Sequence, residues 1–261
     1  MKENSGIHFP LLLSTFLVVG GRIILFIKLM SDTDFIPRID LSNVLTYGII
    51  SPQSFETIKE IKKASEEVGF FTVINHEITD SSIKKILSNC KNFFSLPLET
   101  KLNFAPQKWN KKNDKVYRGF FPSSVNGKEG FDIGDPLLKN HMKELTQKEK
   151  FEVNYDMSLI DSEWQININD YYNQSFNLGT ILFKALISCI SDNTELADIA
   201  LQRPKTLSTL RFNYYPQQNK AVEISSQDGE ALGCETHVDS GIMTILYQDK
   251  KGGLQVQNRN N

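Results

Sequence analysis

Two residues that could bind a metal ion, His237 and Asp239, stand two positions apart in a β-rich stretch of the chain. Residues i and i+2 of a strand point to the same side of a sheet, so this imidazole and this carboxylate can converge on one ion. Non-haem Fe(II) sites use two histidines and one carboxylate on one face and keep positions open for substrate and O₂. The pair is thus compatible with part of an iron site. It is equally compatible with a hydrogen-bonded strand histidine and a turn aspartate before Ser240 and Gly241.

A second pair with the same spacing, Asn213 and Tyr215, lies upstream in a strand-like segment. There Leu210, Phe212 and Tyr214 alternate with the polar positions, which is typical of a strand with one buried face. An amide and a phenol on one face can hold a small dicarboxylate. The alternative is a strand end whose aromatic side chains belong to the core.

Helices are predicted ahead of these strands, and the strands that follow them are predicted to be antiparallel, which gives an α+β order. Ser51 and Pro52 begin the first helix, Asp80 caps the second, which ends at Pro97, and the third covers about 163–191. Their apolar faces are predicted to contain Phe55, Ile58, Ile61, Ser65 and Val68 in the first, Ile83, Ile86, Leu87, Cys90, Phe93 and Phe94 in the second, and Leu178, Ile181, Leu182, Ala185, Leu186, Cys189 and Ile190 in the third.

A buried strand is predicted at 70–76, between the first two helices, and loops with short strands at 105–150. Hairpin turns are predicted at Asp228-Gly229 and at 250–253, which contains Gly252-Gly253.

Composition excludes several classes of protein. The 261 residues carry 29 Lys and Arg against 31 Asp and Glu, with 40% hydrophobic residues. Such a chain is neither disordered nor a coiled coil, and it lacks the basic excess of a general nucleic-acid binder. Three widely spaced cysteines predict no disulfide framework and favour a reducing, cytoplasmic location.

Residues 9–27 form an apolar stretch interrupted by Gly20, Gly21 and Arg22. It is interpreted as a membrane anchor, as a signal peptide, or as an extension ahead of a biological start at Met30. Any membrane contact is predicted through this stretch alone. The expected organisation is therefore an extension at 1–30, an N-terminal region at 31–160 and a C-terminal region at 161–261.

Six sequence blocks follow one another in a fixed order: IPRIDLS (36–42), EEVGFFTVINHEI (66–78), FFSLPLETK (93–101), YRGFFP (117–122), RFNYYP (211–216), and THVDSGIMTILYQD (236–249) with GGLQV (252–256). In this order they resemble the 2-oxoglutarate/Fe(II)-dependent dioxygenase superfamily, in its branch with isopenicillin N synthase and the plant oxidases.

The resemblance implies a distorted double-stranded β-helix (jelly-roll) core with a helical N-terminal region. It implies that His237 and Asp239 bind Fe(II), that Asn213 and Tyr215 contact 2-oxoglutarate, and that O₂ and a small organic substrate are used, with ascorbate as a further cofactor. His76 matches a histidine that is structural in the family. Glu77 stands where the family usually has glycine.

The family's third metal ligand, a histidine followed by Arg-x-Ser, has no counterpart after Asp239. His8 is expected outside the domain, His76 matches the structural histidine, and His141 lies in a charged loop. The jelly-roll is thus expected to be incomplete at the C-terminus, with a sheet edge exposed after the last strand.

The predicted function is an Fe(II)- and 2-oxoglutarate-dependent oxygenase that hydroxylates or desaturates a small organic substrate. Two alternatives are a catalytically inactive truncated family member or fragment, and an Fe(II) oxidase of the isopenicillin N synthase type that does not use 2-oxoglutarate.

Overall fold

A computed structural model describes residues 11–17, 23–27, 36–122, 128–204, 206–216, 234, 237–239, 241–249, 251 and 254–256. The strands are β1 (Leu11–Leu17), β2 (Ile23–Ile27), β3 (Arg38–Asp40), β4 (Phe70–Ile74), β5 (Gly119–Phe121), β6 (Glu129–Ile133), β7 (Thr209–Tyr214) and β8 (Met243–Gln248). The α-helices are α1 (Ser42–Tyr47), α2 (Phe55–Glu67), α3 (Asp80–Phe94), α4 (Leu98–Leu102), α5 (Gln147–Lys150), α6 (Ser162–Ser188) and α7 (Glu195–Ala200).

The described strands form one mixed sheet in the order β3-β4-β2-β8-β1-β7-β6-β5. Pairing is antiparallel from β5 to β8, as expected, but β8, β2, β4 and β3 are mutually parallel. The connection from β3 to β4 contains α1 and α2, and a helical crossover of this kind joins parallel strands. Helices and strands together agree with the α+β class.

The apolar N-terminal stretch lies within this sheet, although residues 1–30 were expected outside the fold. β1 pairs with β7 on one side and β8 on the other, and β2 pairs with β8 and β4. A β-rich apolar segment can satisfy backbone groups that strands inside a sheet would otherwise leave unpaired. β8 consequently has a partner on both sides, and the expected exposed edge beside it is absent. None of the described helices is long and apolar enough to cross a membrane.

The predicted helix start at Ser51 and Pro52 is a 3-10 turn (Pro52–Ser54) that leads directly into α2, and the buried face of α2 differs from the prediction. The Ser51 side chain accepts a hydrogen bond from the amide of Gln53, with Pro52 at the first helical position. Phe55, predicted to be buried, is 64% exposed. The spacing 55, 58, 61 advances by three residues each time, and at 100° per residue Phe55 lies about 120° away from the buried Ile61.

Helix α3 is capped by Thr79 and not by Asp80, because the Thr79 hydroxyl accepts a hydrogen bond from the amide of Ser82. Its buried face agrees with the prediction apart from the partly exposed Leu87. Phe93 packs edge-on against Phe120 and Phe131 of the sheet, with ring centroids 5.7 and 4.9 Å away. The core therefore lies between α3 and one face of the sheet.

Helix α6 confirms the third predicted helix and is capped by the Asp161 side chain. Trp164 lies 5.1 Å from Phe93 between ring centroids, so α6 packs on the same core. Ile190, predicted for its apolar face, is 79% exposed because the helix ends at Ser188. The predicted turns at 228–229 and 250–253 lie wholly or largely outside the described residues.

Candidate metal and co-substrate site

Strand β7 carries two residues of the candidate site, Arg211 and Asn213. Leu210, Phe212 and Tyr214 are buried in the core, which confirms the predicted alternation. Because neighbouring residues of a strand point to opposite faces, Arg211 and Asn213 belong to the other face of the sheet. Asn213 is itself buried and is paired in register with Gly130 of β6, so there is room for its side chain beside that glycine.

Arg211 of β7 is held in place by the carboxylate of Asp132 on the neighbouring strand β6. Its Nε donates to Asp132 Oδ1 at 2.6 Å and its Nη2 to Oδ2 at 2.5 Å, a bidentate pair between residues in direct register. The hydrogen bonds to Asp132 raise the pKa of Arg211, and the charges of Asp132 and Asp239 add to this effect. A permanent cation therefore lies beside the candidate ligand Asp239.

His237 and Asp239 come together, although residues 237–239 lie outside the strand that their spacing predicted. Nε2 of His237 lies 3.4 Å from Oδ1 of Asp239. The His237 side chain is 59% exposed and the Asp239 side chain 16%, so the pair lies at an accessible rim with its carboxylate turned inward. A nitrogen and an oxygen donor facing one another in this way suit a divalent ion of the Fe(II) type.

Thr244 of β8 holds the carboxylate of Asp239 in this orientation. Its hydroxyl donates to Oδ2 at 2.7 Å, and the residue is 1% exposed. One carboxylate oxygen is therefore occupied by Thr244 while the other faces His237. No motif in the sequence pointed to this residue. The sequence signal was a single threonine within the apolar run of β8.

Tyr215 belongs to the same cluster of side chains. The ammonium of Lys128 lies 5.9 Å from its ring centroid and 3.7 Å from Sγ of Cys234, and this sulfur lies 3.9 Å from Nδ1 of His237. Burial raises the pKa of the Tyr215 phenol, which therefore keeps its proton and can donate a hydrogen bond. Lys128 and Cys234 are further neighbours of the site that sequence reasoning did not identify.

A third protein ligand does not join His237 and Asp239 within the described part of the chain, where no group of three or more His, Cys, Asp or Glu could hold an ion. His141 instead contacts Glu144, 3.2 Å from Nδ1. His8 lies outside the described residues. The residues present thus fit a metal through two donors.

His76 lies in a turn after β4, and its role differs from that of His237 and Asp239. Its Nδ1 accepts a hydrogen bond from the amide of Ile78 at 3.2 Å, and burial lowers its pKa. Glu77 has φ +64°, the left-handed conformation that glycine adopts at least cost. The turn therefore keeps a glycine-like backbone despite the glutamate.

Two family models match this chain. One, described as the non-haem dioxygenase in morphine synthesis N-terminal region, matches residues 36–173, more than half of the chain. The other, described as the 2OG-Fe(II) oxygenase superfamily, matches residues 206–261 and includes every candidate site residue named above except Lys128 and Asp132.

Curated relatives are similar over most of this chain. A protein of Dictyostelium discoideum described as an iron/ascorbate oxidoreductase is 27% identical over 222 residues, which cover 77% of this chain and 60% of that protein. Isopenicillin N synthase of Streptomyces jumonjinensis is 24% identical over 228 residues, or 85% of this chain and 68% of its own length. The chain thus spans about three fifths to two thirds of the length of these relatives.

A solved structure with a similar fold is a 2OG-Fe(II) oxygenase family protein of Caulobacter crescentus. It has a TM-score of 0.56 and 19% identity, and the match covers 72% of this chain and 58% of that one. At this identity the similarity concerns the fold alone.

Proposed function

The chain belongs to the 2-oxoglutarate/Fe(II)-dependent oxygenase superfamily, and we propose that it hydroxylates or desaturates a small organic substrate with Fe(II), 2-oxoglutarate and O₂. The observation that carries the proposal is the convergence of His237 Nε2 and Asp239 Oδ1, with the second oxygen of Asp239 held by Thr244. The three free cysteines are compatible with a cytoplasmic location. The boundary at residue 160 between the N-terminal and C-terminal regions is part of this proposal.

His237 and Asp239 would hold the iron, which when bound activates O₂ and couples the oxidation of 2-oxoglutarate to that of the substrate. Thr244 holds Oδ2 of Asp239, so Oδ1 would be available to the ion. The half-buried phenol of Tyr215 and the buried amide of Asn213 would donate hydrogen bonds to a carboxylate of 2-oxoglutarate.

The direct test is 2-oxoglutarate-dependent release of succinate with Fe(II) and ascorbate. We expect release by the wild-type chain and its loss in His237→Ala and in Asp239→Ala, because each variant removes one of the two donors. A wild-type rate no higher than that of these variants would overturn the proposal.

A second candidate is an Fe(II) oxidase that does not use 2-oxoglutarate, which the similarity to isopenicillin N synthase favours. The discriminating measurement is saturation-transfer NMR of 2-oxoglutarate with the Co(II)-loaded chain. A signal that Tyr215→Phe weakens supports the first candidate. Metal binding without any 2-oxoglutarate signal supports the second.

A third candidate is a catalytically inactive chain, favoured by the lack of a third ligand among the described residues. Calorimetric titration with Co(II) separates it from the other two. Heat of binding equal to that of His237→Ala would favour inactivity.

A further inference from the structure

Lys128 lies directly before β6, on the face of the sheet that carries the candidate site. Phe131 of β6 packs in the core, and because strand residues alternate between faces, Lys128 belongs to the opposite face. Continuation of the register from the pair Glu129–Tyr214 brings Lys128 opposite Tyr215. The ammonium of Lys128 lies 5.9 Å from the ring centroid of Tyr215, which agrees with this placement.

The ammonium of Lys128 is also close to the candidate metal pair. It lies 3.7 Å from Sγ of Cys234, and this sulfur lies 3.9 Å from Nδ1 of His237. The other ring nitrogen of His237, Nε2, faces Asp239. Lys128 and Cys234 are partly exposed and the His237 side chain is largely exposed, so Lys128 borders the accessible side of the pair. A substrate that approaches the pair from solvent therefore passes this cation.

Within the described part of the chain, no carboxylate lies within ion-pair distance of Lys128. Strand β6 has two acidic residues, but Glu129 pairs with Lys101 at 2.6 Å and Asp132 pairs with Arg211. The contacts of Lys128 are instead with the aromatic ring and the sulfur described above. A partly buried cation without a carboxylate partner raises the local concentration of anions.

The same face of the sheet offers apolar surface to the rest of such an anion. Phe121 of β5 pairs in register with Gly130, and Gly130 pairs with Asn213. Because Gly130 has no side chain, this row is open between the ring of Phe121 and the amide of Asn213. Trp109 packs edge-on against Phe121, with 5.1 Å between ring centroids, and is itself partly exposed. An apolar group bound over this row would contact aromatic rings.

We propose that Lys128 is a specificity-determining residue that binds a carboxylate of the organic substrate, and that the substrate is accordingly a small carboxylic acid with an apolar body. The identification of the bound anion as the substrate rests on the proposed function. The first readout below needs neither metal nor activity.

Alkylation of Cys234 measures anion binding by Lys128. Iodoacetate is an anion and iodoacetamide is its neutral isostere; in both reactions the sulfur bonds to carbon, iodide leaves and the thiol proton passes to water. A change in the reactivity of the thiol itself affects both rates equally, so their ratio reports attraction of the carboxylate. We expect the iodoacetate-to-iodoacetamide ratio at Cys234 to fall about tenfold in Lys128→Met and to stay at the wild-type value in Lys128→Arg.

Lys85→Met is the matched control, because Lys85 is exposed on α3, which packs on the other face of the sheet. The ratio at Cys234 should not change in this variant, and the ratio at Cys189 should be the same in every chain. Peptide mass spectrometry resolves the cysteines. An unchanged ratio at Cys234 in Lys128→Met, or alkylation of Cys234 no faster than that of the buried Cys90, would overturn the proposal.

Saturation-transfer NMR with benzoate and its neutral isostere benzamide identifies which carboxylate Lys128 binds. The chain is loaded with Co(II) and 2-oxoglutarate. We expect the benzoate signal to exceed the benzamide signal in the wild type and in Lys128→Arg and to be lost in Lys128→Met, with the affinity for 2-oxoglutarate the same in all three. Equal signals from benzoate and benzamide would overturn the proposal. Displacement of benzoate by 2-oxoglutarate, with weaker 2-oxoglutarate binding in Lys128→Met, would overturn it in favour of the co-substrate.

These measurements separate the inference from the proposed function. If the wild type binds no Co(II) but the alkylation ratio falls in Lys128→Met, the proposed function fails and Lys128 stands as an anion-binding residue. If Co(II) and 2-oxoglutarate bind but neither the ratio nor the benzoate signal depends on Lys128, the inference fails and the proposed function stands.

Discussion

Asp239 is oriented through both of its carboxylate oxygens, one by the hydroxyl of Thr244 and the other toward the imidazole of His237. The motif His-x-Asp predicted the pair from strand spacing, but residues 237–239 form no strand, and the two side chains meet in the segment that leads into β8. Thr244 could not be predicted in the same way, since its contact depends on how the chain turns between Asp239 and β8.

Replacement of Thr244 by valine keeps the shape of the side chain and removes its hydroxyl. We expect Thr244→Val to weaken Co(II) binding about 10–100-fold, as for other residues that orient a metal ligand. Thr244→Ser, which keeps a donor, is the matched control and should bind like the wild type. Anaerobic calorimetry measures both, and wild-type affinity in Thr244→Val would contradict the positioning role.

His76 predicts a pH dependence of stability. Burial lowers its folded pKa below the ordinary 6.5, and its Nδ1 must stay unprotonated to accept from Ile78. The unfolded chain therefore binds more protons just below pH 6.5, so this contribution is present above that pH and is lost as the pH falls.

Urea unfolding at pH 7.5 and 5.5 checks this expectation. The decrease in midpoint should be smaller in His76→Gln than in the wild type, because the variant has no imidazole to protonate. His141→Gln, which removes a partly exposed histidine, should decrease like the wild type. Equal decreases in all three chains would contradict the role of His76.

Helices α2 and α3 show how far periodicity predicts an element. Both were predicted with nearly correct bounds, since capping residues and a period of 3.6 are local signals. The buried face of α2 was predicted less well, because steps of three residues drift around a helix. Phe55 faces solvent while Phe93 lies at the centre of the aromatic core.

These two phenylalanines provide a matched test of packing. We expect Phe93→Ala to lower the free energy of unfolding by about 3–5 kcal/mol, because it leaves a cavity between α3 and the sheet. Phe55→Ala should change it by less than about 0.5 kcal/mol. Urea unfolding followed by circular dichroism measures both, and similar effects of the two substitutions would contradict this packing.

Over the whole molecule, the fold and the site depend on one sheet whose central strands come from distant parts of the chain. If His237 and Asp239 bind metal only in the folded state, metal binding stabilises the whole protein. This stabilisation by metal should be lost when either His237 or Asp239 is replaced.

Thermal unfolding measures this linkage. At a Co(II) concentration of 100 times its Kd, we expect about 2.7 kcal/mol of added stability, seen as a rise in Tm of several degrees. EDTA should reverse the rise, and Asp239→Ala should show none. A similar rise in Asp239→Ala would mean that the ion binds elsewhere.

The sequence alone predicted the helices, the alternating strand β7, the two residue pairs of the site and the family, because each is encoded in local spacing or in ordered motifs. The tertiary structure placed β1 and β2 beside β8, paired Thr244 with Asp239 and Arg211 with Asp132, and exposed Phe55. Backbone ladders form between any two extended segments, so an apolar strand does not encode its partner. The partners of β1 and β2 are decided instead by which backbone N–H and C=O groups of the other strands still lack a hydrogen-bond partner.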